Sequence, residues 1–271
     1  EHQGDGNRGK PHYDRIIFNN ERGAISSRDD LTDDSETAVI INDLTFEGRG
    51  NFAGSTEVGT LRLADGYSYV FDSNSDRRQV IGNIISQGSC EAGATFMFGS
   101  IPGVRGKIHL LNSEILDRMY ILDIAVNGAT LTNNNSVDGG NNTGMVFDEL
   151  VGRTLYWVGE GGIWQDRNHW SLSSGGPGGE CIPTSLDNVI FDENSFSQAN
   201  QDVESVFAQF AYCKDFQFLN QAFYPLINME FLQVNGSVDI DNSFEYNVRW
   251  LILTSNEEES INVSGQELVD I

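Results

Sequence analysis

The sequence predicts an all-β protein, and three observations support that fold class. Short runs rich in β-branched and aromatic residues recur along the whole chain, at 15–18, 39–46, 60–63, 67–71, 107–111, 119–126, 188–191 and 250–253. Nearly all of these runs are followed by Gly, Asn or Asp, as in Ala64-Asp65-Gly66, and these residues favour turns. Windows with apolar residues at helical spacing are few. We therefore expect many short strands joined by tight turns.

Internal similarity favours stacked repeats, with β-sandwich modules as the alternative. Three pairs of segments match in the same order at an offset of roughly 170 residues. The pairs are RIIFNN (15–20) with NVIFDE (188–193), INDLTF (41–46) with CKDFQF (213–218), and LRLADG (61–66) with LQVNG (232–236). Strand–turn units cannot bury an apolar face alone, whereas stacking buries a continuous core. We expect a right-handed parallel β-helix, or β-solenoid.

A change of composition predicts a module junction near residue 152. The segment NNNSVDGGNNTG at 133–144 is polar and turn-prone, and an apolar, aromatic segment opens at 153–159. The first residues, 1–14, are polar and charged without an apolar signal core, which suggests an internal fragment or a processed chain. We expect a flexible segment at 1–14, part of one repeat unit at 15–152, and part of the next at 153–271.

The charge balance narrows the classes of partner. The chain of 271 residues carries 40 Asp and Glu against 16 Lys and Arg, a net charge of −24. Such a surface repels phosphate backbones and anionic lipids, so we expect no nucleic-acid binding. No apolar run approaches 18 residues, so we also expect no membrane insertion. No cofactor is expected, although converging carboxylates leave Ca²⁺ as an alternative.

Three cysteines, Cys90, Cys181 and Cys213, lack CxxC or Cys/His zinc spacing, so no metal site is expected from them. In an oxidising compartment one pair could form a disulfide bond and leave one thiol. Cys181–Cys213 is the preferred pair, and three free thiols are the equal alternative.

The junction resembles a known family. The segment NNNSVDGGNNTGMVF at 133–147 is followed across 153–196 by YWVG, GGIWQDRNHWS, SGGPGGECIPT and DNVIFDENSF, and then by Cys213-Lys214-Asp215. This pattern is similar to repeat units of giant surface proteins from gliding Bacteroidota. That family includes the gliding-motility adhesins exported by the type IX secretion system, and the resemblance covers about 60 to 240. Met145 departs from the pattern, where an aromatic residue is expected. The resemblance implies an extracellular fibre whose secretion domain lies outside this sequence.

The densest aromatic cluster is Trp157, Trp164 and Trp170 with His169. These tryptophans are the candidate ligand-binding residues, because aromatic faces can stack on sugars. The competing interpretation is a hydrophobic plug between modules, since Trp buries a large area and its N–H finds a backbone partner. His169 alone does not make a metal-ligand set.

No catalytic group is predicted. Asp187, Asp192 and Glu193 flank one strand and Asp138 lies among asparagines, so a glycosidase carboxylate pair and a calcium site are the two functional alternatives. Turn capping is the ordinary role of such residues. The sequence contains no GxSxG, and no phosphate-binding glycine motif precedes a helix.

The expected function is therefore a non-catalytic, structural and adhesive segment of a cell-surface adhesin used in attachment and gliding. Its expected partners are surface polysaccharides or abiotic surfaces, flanking repeats of the same chain, and the secretion machinery. The alternatives are a polysaccharide-active β-helix enzyme and a carbohydrate-binding module.

Overall fold

The computed structural model describes residues 11–20, 22–26, 39–74, 77–86, 88–149, 151–206, 209–255 and 258–263. The protein is all-β, and its only described helix is a single 3₁₀ turn at Arg167–His169. The chain forms two compact units. Unit 1 comprises Glu1–Ser89 and Ala94–Glu149, and unit 2 comprises Cys90–Gly93 and Leu150–Ile271.

Unit 1 contains fourteen described strands. They are β1 (His12–Phe18), β2 (Arg22–Ser26), β3 (Val39–Phe46), β4 (Arg49–Ala53), β5 (Thr56–Leu63), β6 (Ser68–Phe71), β7 (Gln79–Ile85), β8 (Thr95–Gly99), β9 (Gly106–Leu110), β10 (Glu114–Asp117), β11 (Met119–Leu122), β12 (Ile124–Gly128), β13 (Leu131–Asp138) and β14 (Met145–Glu149).

These strands form two sheets in which every described strand pair is parallel. Sheet I has the order β1-β3-β5-β7-β9-β12. Sheet II has the order β10-β13-β11-β8-β6-β4-β2, and β14 also pairs with β13. From β1 to β9 the chain therefore alternates strictly between the two sheets. Parallel neighbours need a crossover, and here the crossover is a strand of the other sheet.

The core of unit 1 comes from alternate residues of the strands, as the period of two requires. In β3 and β5 the buried positions repeat in register, and Leu44 pairs with Leu61. Aromatic rings also repeat in register. Phe18 stacks on Phe46 with ring centroids 5.0 Å apart, and Phe52 stacks on Phe71 at 4.7 Å. Parallel pairing thus places like side chains in contact from strand to strand.

The run at 119–126, expected as one strand, is two strands in different sheets. Asp123 separates β11 from β12 and has φ 57°, a left-handed conformation that Asp and Asn tolerate better than most residues. Its buried carboxylate accepts hydrogen bonds from the Gly103 N–H at 2.8 Å and from Asn141 Nδ2 at 2.6 Å. The carboxylate fixes the corner at which the chain changes sheet.

The polar segment at 133–144 is ordered in a strand and a turn, although its composition suggested a loop. Residues 131–138 form β13, which pairs with β10, β11 and β14. Asn142 Nδ2 then donates to the Ile121 carbonyl at 2.6 Å, and Asn142 Oδ1 accepts from the Ile124 N–H at 3.0 Å. Gly144 has φ +76°, and a Cβ there would lie 1.8 Å from the Val126 oxygen, so only glycine fits.

Unit 2 contains eleven described strands. They are β15 (Thr154–Trp157), β16 (Gly162–Ile163), β17 (Trp170–Ser171), β18 (Asn188–Phe191), β19 (Asp202–Glu204), β20 (Ala211–Cys213), β21 (Phe216–Phe218), β22 (Leu226–Val234), β23 (Val238–Ile240), β24 (Glu245–Leu253) and β25 (Ile261–Asn262).

Two sheets again share these strands. Sheet III has the order β17-β15-β18-β21-β23-β25, and sheet IV has the order β16-β19-β22-β20, with β24 also paired to β22. From β21 to β25 the chain alternates between the two sheets. The pair β15–β17 is the single antiparallel strand pair in the described part of the chain. The antiparallel pairing expected of a β-sandwich is therefore nearly absent from the described sheets.

The expected junction and the expected repeat matches lie at identifiable places in the two units. Unit 1 ends at Glu149, close to the junction expected near residue 152. Positions 12–14, expected to be flexible, belong to β1, whereas 1–10 lie outside the described residues. The first two repeat matches occupy adjacent parallel strands, β1 and β3 in unit 1 and β18 and β21 in unit 2. The third does not, because LRL lies in sheet I and LQV lies in β22 of sheet IV.

Candidate functional site

The three candidate tryptophans lie in the interior of unit 2. Trp157 ends β15, Trp170 begins β17, and Trp164 lies on the turn between β16 and the 3₁₀ turn. All three are fully buried and belong to the core cluster. Trp170 meets Trp157 edge-on at 5.1 Å and Trp164 edge-on at 4.7 Å. The expectation that these rings bind a ligand is therefore wrong, since burial leaves no ring face for a sugar.

Local hydrogen bonds hold two of the three indoles. Trp157 Nε1 donates to the Glu160 carbonyl at 2.6 Å, and Trp170 Nε1 donates to the Trp164 carbonyl at 2.8 Å. The buried Trp164 Nε1 has no hydrogen-bond partner among the described residues. His169 stacks on Trp157 at 4.5 Å, and its Nδ1 lies 2.8 Å from the Val158 carbonyl oxygen. The cluster is a packed core in which Trp157, Trp170 and His169 direct polar atoms to the backbone.

A column of stacked rings continues from Trp157 through unit 2. Phe191 stacks on Trp157 at 5.4 Å and on Phe218 at 4.7 Å, and Phe218 meets Phe244 at 4.0 Å. Phe191 and Phe218 are paired residues of adjacent parallel strands. The aromatic motif at 153–196 therefore builds the centre of a core.

Asp187 is a buried structural acceptor. It is 2% exposed, and its carboxylate accepts from Arg153 Nε at 3.0 Å and from an Arg153 terminal nitrogen at 3.0 Å. The backbone N–H of Arg153 and both the N–H and hydroxyl of Thr184 also donate to it, at 2.7–3.0 Å. With five donors around two oxygens, this carboxylate has no lone pair directed at a substrate or a calcium ion.

The other candidate acids cap turns. Asp192 accepts from the Asn194 N–H at 3.0 Å, and Asp138 accepts from the Gly140 N–H at 2.9 Å and from Asn142 Nδ2 at 2.6 Å. Glu193 is exposed beside Asp192. These are the side-chain-to-backbone bonds that make Asp frequent in turns. Within the described residues, no group of three His, Cys, Asp or Glu side chains could hold a metal ion.

The disulfide bond joins Cys90 to Cys181, and the preferred pair Cys181–Cys213 is wrong. Cys213 is a free thiol at the end of β20, with its side chain fully buried in the core of unit 2. Cys181 instead lies beside the segment Cys90–Gly93, where the Ile182 N–H also contacts the Cys90 carbonyl at 3.4 Å. Cys90 lies 91 positions before Cys181, so proximity in sequence does not identify the partner of Cys181.

Sequence reasoning missed an aromatic group on the other side of sheet IV. Phe210, Phe231 and Trp250 lie outside the core cluster of unit 2, and we call them the outer aromatic row. Phe231 pairs with Trp250 across β22 and β24, and Phe210 stacks on Phe231 at 4.6 Å. Trp250 is 50% exposed. The available signal was the break in alternation in β24, where Arg249 and Trp250 lie between the buried Val248 and Leu251.

In the described part of the chain, no helix has both the length and the apolar character needed to span a membrane. Comparison with known proteins found no matching family model, no matching curated protein and no matching solved structure.

Proposed function

We propose that this chain is a non-catalytic, structural and adhesive segment of a large secreted cell-surface protein, folded as a β-solenoid. The observation that carries the proposal is that successive strands alternate between two sheets of mainly parallel strands, over β1 to β9 in unit 1 and β21 to β25 in unit 2. A chain that adds one strand to each sheet per turn grows by stacking, so length is gained without a new fold.

The in-register side chains support the solenoid. Phe18 and Phe46 in sheet I have their counterpart in Phe191 and Phe218 in sheet III, both as stacked pairs on adjacent parallel strands. On the solvent side, Asn228 and Asn247 are paired residues of adjacent parallel strands, and Asn247 Nδ2 donates to Asn228 Oδ1 at 2.8 Å. Stacks of equivalent residues are what successive coils of one repeat produce.

The roles of the acidic residues support a binding rather than a catalytic function. Asp187, Asp192 and Asp138 all serve as hydrogen-bond acceptors for the chain's own backbone or for Arg153. A catalytic acid or base instead needs a group that can reach substrate. The net charge of −24 keeps a long fibre soluble. The resemblance of 153–196 to repeats of gliding Bacteroidota adhesins points to the same function, with export by type IX secretion.

The disulfide bond supports the proposed extracellular location, because disulfides persist in oxidising compartments. The proposed partners are surface polysaccharides or abiotic surfaces, and flanking repeats of the same parent chain. Many weak contacts along one fibre would add up to firm attachment.

Attachment of beads coated with the full chain tests the proposed function. We expect coated beads to resist flow on polysaccharide-coated and on bare glass, whereas beads coated with the reduced and denatured chain wash away. If beads coated with the folded chain wash away as readily as beads coated with the denatured chain, the adhesive role is refuted. A crystal structure tests the proposed β-solenoid. Strands that pair antiparallel in sandwich modules would refute it.

Assays for product release test the alternative that the chain is a polysaccharide-degrading enzyme. The full chain is incubated with neutral and acidic polysaccharides, and reducing ends or unsaturated sugars are measured. Turnover that is lost in Asp187→Asn or Asp192→Asn would overturn the non-catalytic proposal. Addition of Ca²⁺ or a chelator, followed by thermal unfolding, tests the calcium alternative.

A further inference from the structure

We infer that the outer aromatic row binds a neutral polysaccharide, with Trp250 as the principal stacking residue. This inference rests on the proposed adhesive function and assigns it a place on the molecule. It replaces the expected site at Trp157, Trp164 and Trp170, which is buried.

The row is held in place by the backbone beneath it. β20, β22 and β24 are parallel neighbours, with Phe231 paired to Trp250 and Ala211 paired to Leu232. The second pairing places Phe210 level with Phe231, where the two rings stack at 4.6 Å. Gln165 contacts both Val206 and Phe210, since its Oε1 accepts from the Val206 N–H at 2.8 Å and its Nε2 donates to the Phe210 carbonyl at 3.4 Å.

An irregularity in two strands turns the row away from the core. In β22 the buried residues Met229 and Leu232 are three apart, not two, and in β24 the same spacing separates Val248 from Leu251. The extra position on each strand lets Phe231 and Trp250 avoid the core without disturbing the register that follows. Trp250 is 50% exposed and the neighbouring Phe231 is partly buried, so the two rings form one apolar patch at the surface of sheet IV.

Polar groups border the rings on both sides along the strands. On one side Arg249 lies 3.9 Å from Glu230, and beyond them Asn247 is bonded to Asn228. On the other side Gln233 Nε2 lies 3.1 Å from Asn235 Oδ1 and 3.3 Å from Thr254 Oγ1. A sugar presents apolar C–H faces and hydroxyl edges, which match flat rings between amides and a charged pair. A protein partner would instead favour a continuous apolar centre.

Charge selects the class of polysaccharide. The chain carries a net charge of −24, so a polyanionic glycan is repelled over a distance set by the ionic strength. A neutral polysaccharide is not repelled. A polysaccharide repeats its sugar units many times, so a weak contact at one row would be reinforced wherever several copies of this protein are presented together.

Acrylamide quenching of tryptophan fluorescence measures binding at this row directly. Of the 4 Trp residues only Trp250 is exposed, because Trp157, Trp164 and Trp170 are fully buried. The full chain is titrated with hydroxyethyl cellulose, soluble starch, laminarin and galactomannan. We expect at least one of them to protect Trp250 from acrylamide. Carboxymethyl cellulose, which shares a backbone with hydroxyethyl cellulose but is anionic, is expected to bind less well.

Variants identify the residue, with affinity electrophoresis as the second readout. Trp250→Ala is expected to weaken binding about tenfold, since a central aromatic commonly dominates a contact. Trp250→Phe is expected to keep most of the affinity. Leu172→Ala removes a similarly exposed apolar residue outside the row, 57% against 50% for Trp250, and is expected to bind as the wild type does.

The outcomes separate this inference from the proposed function. If no neutral polysaccharide protects Trp250, or if Trp250→Ala binds as tightly as Leu172→Ala, the inference is overturned. Bead attachment that persists in Trp250→Ala would then leave the adhesive function standing. Stronger binding of the anionic polymer than of its neutral counterpart would also overturn the inference.

Discussion

Asp187 shows how a single carboxylate can join distant parts of the chain. The carboxylate accepts five hydrogen bonds from Arg153 and Thr184, and Asp187 is 2% exposed. Asp187→Asn is expected to lower the free energy of unfolding of unit 2 by about 3 kcal/mol, because Arg153 would lose its counter-ion. Urea unfolding followed by tryptophan fluorescence measures this.

The matched control for this prediction is Asp192→Asn, which removes the charge from a turn. The Asp192 carboxylate accepts a backbone hydrogen bond from the Asn194 N–H, and an amide oxygen can still accept it. We expect a change below about 1 kcal/mol. Equal losses in the two variants would show that the Arg153–Asp187 pair contributes no more than a turn cap.

Asp241 and Asp72 make stability depend on acidity. Burial by itself would raise the pKa of Asp241, but hydrogen bonds from the Asn220 N–H and from the Ser243 hydroxyl and N–H outweigh it and leave the pKa lowered. Burial would likewise raise the pKa of Asp72, but hydrogen bonds from the Asn74 and Gly54 N–H groups and from Arg77 outweigh it and leave the pKa lowered. Both carboxylates are therefore more acidic in the folded protein.

A lowered folded-state pKa sets the sign of the pH effect. The unfolded chain takes up the proton first as pH falls, so the stabilisation is present above the unfolded pKa and is lost below about pH 4. Urea midpoints at pH 7 and pH 3 measure this loss. Asp241→Asn is expected to reduce the difference between the two midpoints for unit 2. An unchanged difference would mean that other carboxylates cause the acid sensitivity.

At the residue scale, sequence predicted the role of the acids better than the partners of the cysteines. Asp192 and Asp138 cap turns, as their Asx-Gly and Asx-rich surroundings indicate. The Cys90–Cys181 bond spans 91 positions, and no local pattern encodes such a distance. The burial of Trp157, Trp164 and Trp170 also depends on strands that come later in the chain, so a cluster in sequence could not distinguish a core from a surface.

At the scale of elements, the aromatic column of unit 2 is the strongest packing feature. Phe191 contacts Trp157 and Phe218 as stacked rings and also meets Phe196 at 6.2 Å. Phe191→Ala is expected to lower the free energy of unfolding of unit 2 by about 4 kcal/mol, because it leaves a large cavity. Phe191→Leu is expected to lose less, since most of the volume is kept.

All 4 Trp residues lie in unit 2, so tryptophan fluorescence reports this unit and circular dichroism reports both. The control is Phe71→Ala, which removes a ring stacked on Phe52 in unit 1. Because the two core clusters share no residue, we expect Phe71→Ala to leave the fluorescence midpoint unchanged. A shift of that midpoint as large as that of Phe191→Ala would show that the units unfold together.

Sequence predicted strand segments well and their sheet assignment poorly. The runs at 39–46 and 188–191 are β3 and β18, because alternating or continuous apolar residues specify a strand locally. The run at 119–126 spans two sheets, since the left-handed Asp123 is a property of the backbone that its neighbours do not reveal. The sequence did not predict β13, because a run of asparagines is typical of turns. In the structure the backbone of this run pairs as a strand while its side chains form hydrogen bonds of their own, as Asn135 Nδ2 does with Asp117 Oδ1 at 2.7 Å.

At the scale of the whole molecule, the disulfide bond closes a loop that contains parts of both units. The loop from Cys90 to Cys181 includes the strands from β8 to β17. In urea without reductant, we expect one reactive thiol per chain, and peptide mapping should place it at Cys213. Without urea this thiol is expected not to react, because burial, together with the charges of Asp215 and Asp187, raises its pKa. A label on Cys90 or Cys181 would contradict the pairing.

Loss of this bond should destabilise the protein chiefly through its unfolded state. Closing a loop of 91 residues removes chain entropy from the unfolded ensemble, worth about 4.5 kcal/mol in the loop-entropy model. Cys90→Ser is therefore expected to lower the urea midpoint read by fluorescence, and reductant should lower the wild-type midpoint to the same value. Cys213→Ser keeps the Cys90–Cys181 bond, so reductant should lower the urea midpoint of this variant as it does for the wild type. If Cys90→Ser unfolds at the wild-type midpoint, the loop carries no stabilisation, and the covalent link would matter only for holding the Cys90–Gly93 segment in place.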